Sequence, residues 1–219
     1  MNPRRSESLK VLVAGAGGML GRDFSAAARE RGHDVVGLAH SALDITDSAS
    51  VERAISLHAP DVVVNCAAYT DVDGAEADER GAMRVNDEGA ASLAAAAASV
   101  GAKIVHPSSD YVFDGSSRRP YVESDVTGAI SAYGRSKLAG ETSVAVSNPR
   151  HFIVRASWLF GIGGKLQQCL RGGLEQQIVD EAFILQRQVG QFLRQRKDNM
   201  EIRYRQQVCQ SRLQPLGLC

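Results

Sequence analysis

The chain alternates short, unbroken apolar runs with longer stretches whose apolar residues recur at helical spacing. "KVLVAGAG" (10–17) opens the series. An apolar run without polar alternation predicts a strand buried on both faces. "GMLGRDFSAAARERG" (18–32) follows as a helix that Gly32 stops. "DVVGLAH" (34–40) predicts a second strand, "SASVERAISLHA" (48–59) a helix, and "PDVVVNCAA" (60–68) a third strand opened by Pro60. "EGAASLAAAAASVG" (88–101) reads as an Ala-rich helix closed by Gly101, and "AKIVHPSS" (102–109) as a fourth strand. "SAYGRSKLAGETSVAVS" (131–147) is helical in period and "HFIVRASWLFG" (151–161) is a fifth strand. Ser48 and Asp87 are candidate helix caps. Buried strands alternating with helices predict a parallel sheet covered on both faces.

The regularity stops at residue 164. Residues 1–164 contain no glutamine, whereas 12 of the last 55 residues are Gln, and only one of those 55 is Ala. The formal charge is zero overall, with 25 basic and 25 acidic residues. That balance gives no electrostatic footprint for nucleic acid. No segment reaches the roughly 20 apolar residues of a membrane span. The basic start followed by "KVLVAGAGGML" imitates a signal peptide, but the run is short, glycine-broken and leads straight into Arg22 and Asp23. Four cysteines without paired or metal-ligand spacing predict a reduced, cytoplasmic setting and no metal. The carboxylates of "DVDGAE" (71–76) read as a solvated loop and helix start.

Gly15, Gly18 and Gly21 stand as G-x-x-G-x-x-G between the first strand and first helix. The first glycine serves a tight turn, the second a close approach of pyrophosphate, and the third close helix–strand packing. The backbone N–H groups of Met19, Leu20 and Gly21 then face the phosphates at the helix N-terminus. These features predict an α/β fold, a Rossmann-type doubly wound parallel sheet, that binds a dinucleotide. A carboxylate closing the second strand would favour NAD, but Ala39, His40 and Ser41 stand there and the first carboxylate is Asp44. NADPH, or tolerance of NADPH and NADH, is expected.

Tyr133 and Lys137 lie at i and i+4, on one face of the predicted helix. An ammonium beside a phenol is expected to lower its pKa, making Tyr133 a proton donor to a carbonyl that receives hydride. Ser109, closing the fourth strand, is placed to hydrogen-bond the same oxygen. This Ser, Tyr and Lys set resembles the extended branch of the short-chain dehydrogenase/reductase family. "LDITD" (43–47), "PDVVVNCAAYTDVDGAE" (60–76), "VN" (85–86), "HPSSDYVFDG" (106–115), "AYGRSKLAGE" (132–141) and "IVRASWLFG" (153–161) narrow the resemblance to the dTDP-4-dehydrorhamnose reductase family, over nearly all of residues 8–164.

The resemblance implies NAD(P)H-dependent reduction of a 4-keto dTDP-sugar, a precursor of cell-surface polysaccharide. It implies catalytic Ser109 (usually Thr in the family), Tyr133 and Lys137. It places Asp44 and Ile45 at the adenine, and Ala67, Ala68 and Thr70 along the cofactor pocket. Tyr111 and Trp158 would contact the sugar nucleotide. Ala129 departs from a proline usual in the family. Family members dimerise in some cases. Two other readings stay open: a non-catalytic NADP-binding regulatory subunit related to the reductases, and an epimerase or dehydratase of the same branch. A dehydratase would want an acidic pair beside the serine, and Asp110 is followed by Tyr111.

Residues 1–164 thus form the expected cofactor-binding and catalytic domain. In residues 165–219 the strand–helix alternation ceases, so a substrate domain is largely missing. The tail is either a short segment evolved for a partner or the product of a shifted reading frame. Lys165-Leu166-Gln167 permits Asn-Phe when read one base later, and the family commonly carries Asn-Phe shortly after this glycine-rich turn. Sequencing the gene across codons 160–170 should reveal an added or lost base; a clean in-frame read would remove the frameshift.

Overall fold

Residues 8–157 and 159 are described by the structure, a computed structural model. The first buried run is β1 (Lys10–Ala14), and it pairs in parallel with β2 (Asp34–Leu38) on one side and β3 (Val62–Asn65) on the other. β4 (Lys103–Ser109) joins β3, and β5 (His151–Ala156) joins β4. The sheet is parallel throughout, in the order β2-β1-β3-β4-β5. All five predicted strands are present, and Pro60 lies just outside β3, where its missing N–H costs the ladder nothing.

Side chains alternate across each strand and so divide the core in two. Val11, Val13, Val62, Val64 and Val105 form one face, against Phe24 of α1 (Met19–Glu30). Leu12, Val63 and Ile104 form the other, against Val51 and Ile55 of α2 (Ser48–His58). The path from β3 to β4 holds α3 (Val72–Ala77), α4 (Glu79–Met83), a π-helical turn (Arg84–Gly89) and α5 (Ala90–Ser99). Leu93, Ala94 and Ala97 of α5 are buried on that second face, with Val144 of α6 (Ala132–Ser147). Helices on both faces make the sheet doubly wound. The Ala run is therefore packing surface: small side chains let α5 lie close to sheet and neighbouring helices.

Two caps differ from expectation. Asp47, not Ser48, caps α2, its carboxylate accepting from Ser50 N at 3.2 Å. Asp87 lies inside the π-helical turn and accepts from Ser143 Oγ of α6. The short helices α3 and α4 and the π turn have no counterpart in the hydrophobic period, because each is set by Asp caps and tertiary contacts. Asp71 and Asp78 cap them through Gly74 N and Gly81 N.

The strand order reverses between β1 and β3, which opens a crevice beyond their C-terminal ends. Gly15, with φ +76°, makes the turn there; a Cβ on it would lie 2.5 Å from Ala67 N. Gly21 faces the Gly15 carbonyl so closely that no side chain fits between helix and turn. Gly21→Ala is expected to lower unfolding stability in urea by about 1–3 kcal/mol, through backbone displacement in a packed site.

Candidate functional site

Three strand ends meet at the crevice, and each supplies one part of the site. At the end of β1 the turn is held by Ala16 N donating to Leu38 O and Gly18 N to Gly15 O, both at 3.0 Å. Gly18 is the N-cap of α1 and no side chain caps it. The first intrahelical donor is Arg22 N, to Gly18 O. The amides of Met19, Leu20 and Gly21 are therefore uncommitted within the helix, at its positive end. A Cβ at Gly18 would meet only the Gly15 carbonyl, at an ordinary 3.4 Å. The protein's own packing does not demand this glycine, whereas backbone approach of a phosphate does.

Beside the turn, Asp44 is committed locally. Its Oδ1 accepts from Thr46 N at 2.9 Å and Thr46 Oγ1 at 2.8 Å, which holds the carboxyl below its usual range, with smaller help from His40 and Arg84. The Ile45 side chain is buried in the core against α2 and α5, so only its backbone is open to a ligand.

At the end of β3, Asn65 is buried. Its Oδ1 accepts from Ala67 N at 3.2 Å, so its Nδ2 donates to His106 Nδ1, also at 3.2 Å. This pair fixes the backbone at Ala67 and Ala68. Asn86, in the π turn, then grips Tyr69 from both sides: Oδ1 accepts Tyr69 N at 2.9 Å and Nδ2 donates to Tyr69 O at 3.0 Å. The same Nδ2 reaches Ser136 Oγ on α6 at 2.9 Å. Gly140 of α6 lies directly on the Asn86 carbonyl, where a side chain would collide. Thr70 follows, exposed.

β4 runs past its last pairing with β3 at Val105, leaving residues 106–109 to project at the crevice. Ser109 Oγ accepts from Tyr111 N at 3.3 Å and donates to Asp110 Oδ1 at 3.1 Å, starting a 3-10 turn. Tyr111 is exposed at the mouth, its ring edge-on to Tyr133 with centroids 5.5 Å apart. Helix α6 is anchored for this purpose at its start. Ser131 Oγ caps Gly134 N, Glu76 accepts from Ala132 N at 2.8 Å, and Arg135 pairs with Glu79 at 2.7 Å. The "DVDGAE" carboxylates thus act as a cap and as an anchor.

Tyr133 and Lys137 face the crevice as their spacing predicts, with Ser109 hydrogen-bonded to Tyr133. The electrostatics differ from the sequence expectation. Burial is the main influence on Tyr133 and raises its phenol above the ordinary value, against the smaller opposing hydrogen bond from Ser109. Lys137 does not lower it, because its Nζ turns to the Pro107 carbonyl at 2.8 Å. Burial pushes Lys137 itself down to about 8, opposed by Glu141. Asp110 is raised by burial. Asn65, Asn86 and His106 carry no sequence signal of their own; "VN" appeared within the resemblance but without a role. Trp158 lies outside the described residues, as does the tail from 160. Among the described residues no group of three His, Cys, Asp or Glu could hold a metal.

The pattern of the RmlD substrate binding domain family matches residues 9–190. A dTDP-4-dehydrorhamnose reductase from Bacillus anthracis, solved in complex with NADP, superposes with a TM-score of 0.78 at 31% identity, covering 86% of this chain and 71% of that one. The chain belongs to the dTDP-4-dehydrorhamnose reductase family. Its similarity to curated members of that family is close. It is 50% identical over 154 residues to a dTDP-4-keto-6-deoxy-D-glucose reductase from Streptomyces niveus, covering 70% of this chain and 54% of the relative. It is 49% identical over 160 residues to the dTDP-4-dehydrorhamnose reductase of Mycobacterium tuberculosis, covering 71% and 51%. The chain thus spans about half the length of these reductases. The family match continues past the compositional seam at 164 to residue 190.

His106 makes the site acid-sensitive. Burial holds its imidazole well below the ordinary 6.5, with Lys137 adding to the effect. The unfolded chain therefore binds a proton below pH 6.5 that the folded chain refuses. Stability is full above that pH and should fall as pH drops beneath it, by up to about 1.4 kcal/mol per pH unit. Urea midpoints from pH 7.5 to 4.5 should fall less steeply in His106→Gln than in wild type.

Proposed function

We propose that this chain is the cofactor-binding and catalytic part of a reductase that converts dTDP-4-dehydro-L-rhamnose to dTDP-L-rhamnose with NADPH or NADH. The observation that carries the reading is the convergence of Ser109, Tyr133 and Lys137 at the C-terminal edge of the same sheet from whose β1 the uncapped start of α1 emerges. When bound, the dihydronicotinamide supplies hydride to C4 of the sugar. The amides of Met19, Leu20 and Gly21, with the open face of Gly18, hold the pyrophosphate. Ala67, Ala68 and Thr70 line the path of the cofactor, and Asp44 and the backbone of Ile45 its adenine end.

Tyr133 keeps its proton at neutral pH, because burial raises its pKa. It is thus a phenol when hydride arrives and donates that proton to O4 as the carbonyl becomes an alcohol. Ser109 Oγ orients the same oxygen. Lys137, its Nζ on the Pro107 carbonyl at 2.8 Å, holds α6 against the end of β4 that carries Ser109. Tyr111 lies at the mouth for the sugar nucleotide, and Trp158 is assigned there by resemblance. Residues 1–164 form this domain; the jump in Gln and loss of Ala after 164 favour a tail out of frame, and the family match that runs on to residue 190 counts against it. Among the described residues no helix is long and apolar enough to cross a membrane; the reading takes a cytoplasmic setting for the reaction.

The retained phenol, serine and lysine favour turnover over a purely regulatory NADP-binding subunit. The test uses this chain and a version extended in frame to the relatives' length. Both should bind NADPH, seen by its fluorescence, and Gly18→Ala should weaken that binding about tenfold. The extended protein should oxidise NADPH with dTDP-4-dehydro-L-rhamnose. Tyr133→Phe should lose about 100-fold or more in kcat with NADPH affinity preserved. Binding without turnover in the extended protein would favour the regulatory reading.

A further inference from the structure

Lys137 is a charged group in an unusual position. It is 3% exposed, and its Nζ donates to a neutral carbonyl, Pro107 O, rather than to a carboxylate. The groups around it are neutral as well. Cys66, beyond β3, is a thiol whose pKa burial pushes up to about 12. His106, on β4, is held in its neutral form by burial. Tyr133, one turn earlier on α6, keeps its proton. An ammonium in such a place ordinarily gives up its charge.

One turn further along α6, at i+4, stands Glu141, which is 4% exposed. It makes no contact that would neutralise Lys137 directly. Both its oxygens go to Arg155 of β5, with Nε–Oε1 at 2.9 Å and Nη2–Oε2 at 2.6 Å. Arg155 is itself braced, its guanidinium lying 5.0 Å from the centre of the Phe113 ring, which stacks on Tyr121. Tyr133, Lys137 and Glu141 therefore form one stripe at four-residue spacing, and a clamp from β5 holds its far end.

We propose that Glu141, clamped by Arg155, is a positioning residue that keeps Lys137 charged at neutral pH, tying the site's cation to the docking of β5. A fixed carboxylate acts on a buried ammonium through the low-dielectric interior without touching it. Glu141 is the carboxylate that opposes the burial of Lys137, whose pKa still falls to about 8. The remaining margin above neutrality is about one unit, so loss of the carboxylate carries Lys137 through it. Arg155 serves two ends: it fixes both Glu141 oxygens in place one turn from Lys137, and it makes the arrangement depend on β5. A plain structural ion pair between α6 and β5 would hold the elements together equally well anywhere along their contact. Its position one turn from Lys137 is what gives it this further effect.

This inference rests on the reading of Lys137 as a site residue, but its test needs no turnover. The chain has five lysines, at 10, 103, 137, 165 and 197, so lysine-selective ¹³Cε labelling gives a short, assignable NMR spectrum. Lys137 is identified by the signal that Lys137→Met removes. In wild type it should titrate at about 8. In Glu141→Gln the midpoint should fall by about one unit or more, a tenfold rise in the ratio of neutral amine to ammonium at pH 7. Glu141→Asp, which keeps the charge, should restore most of the shift. If Glu141→Gln does not fold, Glu141→Met combined with Arg155→Met replaces the pair with apolar side chains of similar size, a change buried pairs tolerate. That variant should also lower the midpoint. An unchanged midpoint in a folded variant overturns the proposal. A shifted midpoint in a protein that never reduces the sugar would overturn the reductase reading and leave this inference standing.

Discussion

The hydrogen bond between Lys137 Nζ and the Pro107 carbonyl joins the helix that carries the phenol to the strand that carries the serine. Burying an ammonium is costly, and one bond to a neutral carbonyl does not offset it. The surrounding structure therefore has to hold α6 at fixed height and angle over β4. It does so at both ends. Ser131, Glu76 and the Arg135–Glu79 pair fix the first turn, and Glu141 with Arg155 fixes the third. In between, Gly140 allows α6 to rest on the π turn, where Asn86 also reaches Ser136.

The cofactor end of the crevice obeys a different constraint, the closeness of backbones. Gly15 turns against Cys66 and Ala67, and Gly21 against Gly15. No side chain separates the glycine turn from the end of β3. A second layer of buried polar groups sets the backbone on the β3 side, with His106 supporting Asn65, and Asn65 supporting Ala67. His106, on β4, lies within reach of the charge that Lys137 brings to Pro107, so a neutral imidazole near a charged amine is the arrangement the site can hold.

The parts of the site that were legible in the sequence are those set by local rules. Gly15, Gly18 and Gly21 follow from a strand entering a helix, and Tyr133 and Lys137 from helical spacing. The illegible parts are long-range. Asn86 acts through a π turn that no periodicity announces, across a span of 50 residues to Ser136. His106 reads as one polar residue within an apolar strand, and its partner lies 41 residues away. The expected lowering of the Tyr133 pKa failed for the same reason. Spacing puts the ammonium on the correct face, but burial and the choice of Pro107 as acceptor are properties of the assembled site.

The sequence by itself determined the order of the strands and main helices, the glycine turn, and the shared face of Tyr133 and Lys137, because hydrophobic period and backbone sterics act over a few residues. It also marked the seam at residue 164, through composition alone. Only the tertiary structure decided which groups are charged and what each one faces. Charge in an interior depends on desolvation and on neighbours brought from β3, β4, β5 and α6, and those neighbours are adjacent in space only after the chain has folded.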